Sequence, residues 1–206
     1  MFSLNWLISA LSFAASSVVE EGSNTNADDP EQQALLEKAR RADTVALGEI
    51  YDQYADKIYA YIYHRVGQAE LAEDLTGQVF MRMLEAIHSG QAWRTSFSGW
   101  LYRIAHNLVI DQYRQRSRAT FVDIDEVPPI SETDSEPSRS VQASMDRESL
   151  QAALSQLTED QAQVITLRFL EELSIAEVAT IMERNEGAIK ALQYRAVIAL
   201  RRIMQP

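Results

Sequence analysis

Apolar positions recur at intervals of three and four over two separate stretches of the chain, a spacing that predicts helices because one face of an α-helix returns every 3.6 residues. In the first stretch Leu47, Ile50, Tyr51, Tyr54, Ile58, Tyr61, Ile62 and Val66 share one face of a helix that Gly67 ends. A second helix follows from about Ala69 to Ile87, with Leu71, Leu75, Val79, Phe80, Met83, Leu84 and Ile87 inward and the pair Ser89, Gly90 as its stop. After a loop to Ser96, a third helix from about Phe97 to Arg116 buries Phe97, Leu101, Ile104, Ala105 and Leu108 and leaves Arg103, Asn107, Arg114 and Arg116 facing outward.

The pattern then breaks. Residues 119–145 carry Pro128, Pro129 and Pro137 among six carboxylates and offer no apolar face, so they predict a flexible acidic linker. Helices resume near Met145 with clear start signals. Thr158 with Gln161 and Ser174 with Glu177 are two capping boxes, and Asn185 can cap a last helix whose inward stripe is Ile189, Leu192, Ala196, Leu200 and Ile203. The expected fold is therefore all-α. Two small helical domains, 45–118 and 146–206, are joined by the linker 119–145 and preceded by a partly disordered N-terminal extension, 1–44. Seven glycines and five prolines are too few to punctuate a many-stranded sheet. Residues 1–19 hold no charged side chain, but they lack a basic leader and serines interrupt them. They read as an extension, and membrane contact is expected only indirectly or through this stretch.

The net charge of −11 weighs against a free-standing DNA binder. Its distribution changes that picture: residues 45–118 are neutral, residues 149–206 stand at −1, and the acidity lies in 1–44 and 119–148. Such a chain is expected to need a larger partner to supply phosphate contacts. With no cysteine and three scattered histidines, no metal or cofactor site is expected, and a cytoplasmic location fits. The chain shows no nucleophile–base pair and no phosphate-cradling glycine loop, which leaves an enzyme reading little support. Ser174–Met182, a turn at Glu183–Asn185 and a longer helix from Glu186 form a helix-turn-helix pattern. The wheel sets Gly187, Lys190, Ala191 and Tyr194, with Arg195 beside them, opposite the inward stripe. Spacing alone leaves two readings open for that face, a DNA-contacting surface and a merely solvated one.

Resemblance adds to this. The segment GEIYDQYADKIYAYIYHRVGQAELAEDLTGQVFMRMLEAI with SFSGWLYRIAHNLVIDQYRQRSR resembles region two of the extracytoplasmic-function sigma factors, and LQAALSQLTEDQAQVITLRFLEELSIAEVATIMERNEGAIKALQYRAVIALRRI resembles their region four. The resemblance spans about 160 residues, with order and spacing in agreement. It implies a non-catalytic specificity subunit that binds core RNA polymerase and promoter DNA, answers to an anti-sigma factor, and serves a stress or envelope regulon. Asp74, Leu75, Thr76, Gln78 and Val79 then stand where the family grips the polymerase clamp, although Leu75 and Val79 also fit the buried stripe. Minus-ten contacts fall to Trp93, Arg103, His106, Asn107, Asp111 and Arg114. Trp93, on the loop that would receive a flipped base, can equally fold onto the core, and Trp100 fits the core better than a base. The interleaved aromatic, amide and basic groups suit an unpaired strand. Minus-thirty-five contacts fall to Gly187, Lys190, Ala191, Tyr194 and Arg195. The linker stands where the family threads the polymerase cleft towards the RNA exit path, and a plain solvated tether remains its alternative.

Glu183, Arg184 and Asn185 depart from the glycine, apolar residue and serine usual in that turn, so its geometry is expected to differ. Two rival functions remain: an operator-binding regulator, which the charge opposes, and a membrane-sequestered or protein-only adaptor held by an anti-sigma partner through the first helix bundle and the N-terminal extension.

Overall fold

The computed structural model describes residues 30–94, 96–120 and 149–204, the last five of α4 by backbone alone. Expectations for residues 1–29 and most of the linker lie outside the described residues. Eight α-helices and no strand are present among them: α1 Pro30–Arg40, α2 Thr44–Val66, α3 Ala69–His88, α4 Phe97–Thr120, α5 at 149–155, α6 Glu159–Ile165, α7 Ile175–Ile181 and α8 Glu186–Met204. A π-helical turn, Thr166–Leu170, continues α6.

In the first module α2, α3 and α4 pack on one another, and α1 lies on α2. Their common core holds Ile50, Ile58, Tyr61, Ile62, Val79, Met83 and Leu101, all essentially without solvent contact. Helix α2 starts earlier than its apolar stripe, because the Asp43 side chain accepts a hydrogen bond from the Ala46 amide at 3.0 Å and caps it. It stops where expected: Gly67 takes φ 71°, and its amide donates to the Tyr63 carbonyl at 2.9 Å. The first module also begins earlier than residue 45, since α1 buries Leu35 and Ala39 against it. Tyr51, expected inward, is half exposed, with its ring tilted on Phe80 at a 4.8 Å centroid distance.

In the second module α6 and α7 both pack on α8. Both capping boxes form. Thr158 Oγ1 accepts from the Gln161 amide while Gln161 Oε1 accepts from the Thr158 amide, and Ser174 and Glu177 repeat the exchange at 3.2 and 2.8 Å. Asn185 Oδ1 accepts from the Ala188 amide at 2.8 Å at the start of α8. Losing a cap costs about 1 kcal/mol. Ser174→Ala is therefore expected to lower the second module's urea midpoint by about that stability, with the first module's transition unmoved.

The modules touch. Helix α4 packs against α7, and α2 against the π turn, so one continuous core runs through both. This explains why α4 buries Tyr102, Val109 and Ile110 in addition to its expected stripe: it is covered on two sides.

Candidate nucleic-acid interface

On α3, Asp74 and Gln78 face solvent, whereas Leu75, Thr76 and Val79 are buried. Thr76 spends its hydroxyl on the Ala72 carbonyl at 2.7 Å. The two open readings of Leu75 and Val79 thus resolve to core. The outward face of α3 continues with Met81, and α2 carries two more exposed large apolar side chains, Val45 and Tyr51, the latter with its ring against Phe80 of α3. An exposed strip that mixes apolar and polar groups suits a protein contact. Periodicity reports what is inward, so it hides Met81 and sets Tyr51 on the buried face, where the structure leaves Tyr51 half exposed.

Trp93 is 4% exposed, with its ring edge-on to Phe97 at 4.7 Å. Arg40 of α1 pins it twice: its guanidinium lies 4.8 Å from the indole centroid, and Nη2 donates to the Trp93 carbonyl at 2.8 Å. The loop between α3 and α4 is therefore anchored by this residue, which presents no free stacking face.

Along α4 the assigned residues separate into two groups. Asn107, Asp111 and Arg114 are exposed, and Arg114 lies 3.8 Å from Asp111. With Arg82, His106 and Ile110 they line an open groove of about 380 Å³, whose remaining wall is Glu159 of α6. His106 is half-buried and shares a 3.2 Å hydrogen bond with the Tyr61 hydroxyl. Burial first, and then the Arg65 charge, lower its pKa to about 4, so at pH 7 it is neutral. The outward, unpaired position expected for Arg103 does not hold, because its guanidinium forms an ion pair with Glu183 of the second module.

Glu183 occupies the turn between α7 and α8 with φ 53°, a left-handed backbone that costs a side-chain-bearing residue about 1–2 kcal/mol. Helix α8 then presents Gly187, Lys190, Ala191, Tyr194 and Arg195 together to solvent, as the wheel predicts, with Tyr194 59% exposed. Lys190 lies 3.8 Å from Glu186 one turn earlier, an exposed pair of little strength.

Where the modules meet, several ionisable groups are buried. Tyr61 has no solvent contact, and desolvation pushes its hydroxyl up to about 12. Tyr102 is raised further by burial and by Glu171. Glu171, just after the π turn, is itself raised to about 7 by desolvation, with Lys57 opposing. Its Oε1 and Nη1 of Arg65 are buried without a hydrogen-bond partner among the described residues. A carboxyl whose folded pKa stands above its ordinary value favours the folded form below pH 4.5, and that contribution is lost as pH rises through about 7. Glu171→Gln is expected to be more stable than wild type at pH 8 by about 2 kcal/mol, and no more stable at pH 4.5, in urea titrations at the two pH values. Neither Glu171 nor Glu183 could be found from periodicity, since each acts across the gap between modules.

Among the described residues no group of side chains could hold a metal ion, and no helix is long and apolar enough to cross a membrane.

Residues 50–119 match the family model for Sigma-70 region 2, and residues 147–202 that for Sigma-70, region 4. The chain is 40% identical to the ECF RNA polymerase sigma factor BldN of Streptomyces coelicolor over 87% of its length and 68% of the relative's. It is 30% identical to the ECF RNA polymerase sigma factor SigW of Bacillus subtilis, over 81% and 93%. The solved structure of CnrH in complex with the cytosolic domain of CnrY shares the fold, with a TM-score of 0.62, 17% identity and coverage of 83% and 95%.

Proposed function

Since the chain belongs to the sigma-70 family, in its extracytoplasmic-function group, we propose that its two modules divide promoter recognition between them while core RNA polymerase performs the chemistry. The chain is a specificity subunit with no catalytic step of its own. Its partners are core polymerase, promoter DNA and an anti-sigma protein, and its place of action is the cytoplasm, on a stress or envelope regulon.

The exposed strip of Asp74 and Gln78, extended by Met81 and Tyr51, grips the polymerase. Asn107, Asp111, Arg114 and, once released, Arg103 take the unpaired minus-ten strand, with the amide reading base edges and arginine meeting phosphate. His106 and Trp93 support that surface from beneath. Helix α8 enters the major groove at minus thirty-five. Gly187 and Ala191 permit close approach, Lys190 and Arg195 meet phosphate or guanine edges, and Tyr194 meets the base edges.

The observation that carries this reading is the outward grouping on α8 of all five residues that the helix-turn-helix pattern points to. Run-off transcription with purified core enzyme on the gene's own promoter tests it. Transcripts are expected only when the chain is added, and a folded chain that raises initiation no higher than core alone contradicts it.

A further inference from the structure

Arg40, at the end of α1, lies outside the residues that match either family model, yet it makes the contact that holds the α3–α4 loop. Its guanidinium lies over the Trp93 indole, 4.8 Å from the centroid, while Nη2 donates to the Trp93 carbonyl at 2.8 Å. The two ends of that loop are fixed by their own helices. Gly90, at φ 70°, closes α3 with its amide on the Ile87 carbonyl at 3.1 Å and the Gln91 amide on the Ala86 carbonyl at 2.8 Å. Ser96 caps α4, its hydroxyl accepting from the Gly99 amide at 3.1 Å. Between those ends, Arg40 makes the one hydrogen bond to the loop's backbone found among the described residues. Arg40 is itself held. After it, Ala42 takes φ 59° and donates to the Ala39 carbonyl at 2.9 Å, the Asp43 amide donates to the Lys38 carbonyl at 3.2 Å, and the Asp43 side chain then caps α2. Two caps sharing one turn thus set α1 on α2.

On either side of the buried Trp93 the loop exposes an amide, Gln91, and a guanidinium, Arg94, groups able to read a base edge and meet a phosphate. At about 1.5 Å of rise per residue the start of α4 stands roughly 15 Å from Asn107, so a strand lying along that helix reaches the loop. We infer that Arg40 is a positioning residue for promoter reading: acting through Trp93, it fixes the α3–α4 loop so that Gln91 and Arg94 meet one base of the unpaired minus-ten strand in a single arrangement. This rests on the assignment of that strand to α4. A loop free to move loses its freedom only when the strand binds, and it offers its amide and guanidinium to several bases alike. A loop already ordered in the free chain avoids that cost and discriminates. Arginine suits the post because its planar group stacks through its face and donates through its edge, whereas a lysine ammonium has no face to stack.

Run-off initiation by core polymerase carrying the full chain tests this, on the gene's own promoter and on templates with each other base at each minus-ten position. Arg40→Gln is expected to lower the wild-type base preference at one position at least about fivefold, with affinity for core enzyme unchanged. Gln91→Ala with Arg94→Ala should flatten preference at the same position, and adding Arg40→Gln should flatten it no further, because the three act as a unit. A role in stability alone would lower initiation alike on every template. Preference kept by Arg40→Gln, preference untouched by Gln91→Ala with Arg94→Ala, a loss equal at all positions, or a further loss in the combined variant overturns the positioning role. Should Arg40→Gln fail to fold, Arg40→Lys decides: it keeps the charge without the stacking face, so an intermediate preference is expected, and one equal to wild type overturns the role. A wild-type chain that does not initiate, or that shows no base preference in the minus-ten element, overturns the promoter reading underneath. Wild-type preference that survives Arg40→Gln removes the positioning role alone.

Discussion

Core polymerase carrying the Asn107→Ala, Arg114→Ala chain is expected to initiate about a hundredfold less from the gene's own promoter than polymerase carrying the wild-type chain. Both side chains are exposed on α4, and both line the groove assigned to the unpaired strand. An amide on a base edge and a guanidinium on a phosphate each contribute on the order of 1–2 kcal/mol, and every 1.4 kcal/mol is tenfold. Neither residue touches the core, and the Arg114–Asp111 pair at 3.8 Å is exposed, so folding stability should change by less than about 0.5 kcal/mol. Run-off yield at saturating chain, beside the affinity for core enzyme, checks both halves: yield falls and affinity holds. A variant that initiates normally would move the strand contact elsewhere on the chain.

Leu200→Ala is expected to unfold the second module while the first stays folded. Leu200 has no solvent contact and belongs to the stripe by which α8 packs on α6 and α7. Removing its branched end costs about 3 kcal/mol through lost transfer energy and a residual cavity. Few helices share that burden here, and a small unit holds little stability in reserve. Amide exchange should show protection lost across residues 159–204 and retained across α2, α3 and α4. Polymerase binding through the Asp74 and Gln78 surface should persist, with recognition at minus thirty-five lost.

Much of this architecture is legible in local patterns, because helices are specified locally. Gly67, the two capping boxes and Asn185 each fix a boundary within one turn of chain, and the apolar stripes of α3 and α8 need only a helical wheel. Helix α1 escapes such reading: its sequence PEQQALLEKAR buries only Leu35 and Ala39, too few to show a period. The outward placement of the five α8 residues is legible for a simple reason. An outward face is the complement of an inward one.

The site on α4 is only partly legible in the spacing of its residues, for a physical reason. Tyr102, Val109 and Ile110 widen the apolar arc beyond one face, the mark of a helix covered on two sides. That second cover is what brings Glu183 to Arg103 and buries Glu171 near Tyr61 and Tyr102. Long-range pairs of this kind leave no spacing signal. Trp93 illustrates the converse, since a loop aromatic can face a ligand or the core, and only the Arg40 contacts decide for the core.

Permanganate reactivity of thymines around the minus-ten element tests the central claim most directly, since the reagent attacks only unstacked bases. With the chain and core polymerase together those thymines should react, and with either component alone they should stay silent. Silence with both present, or reactivity with the chain alone, would contradict the account.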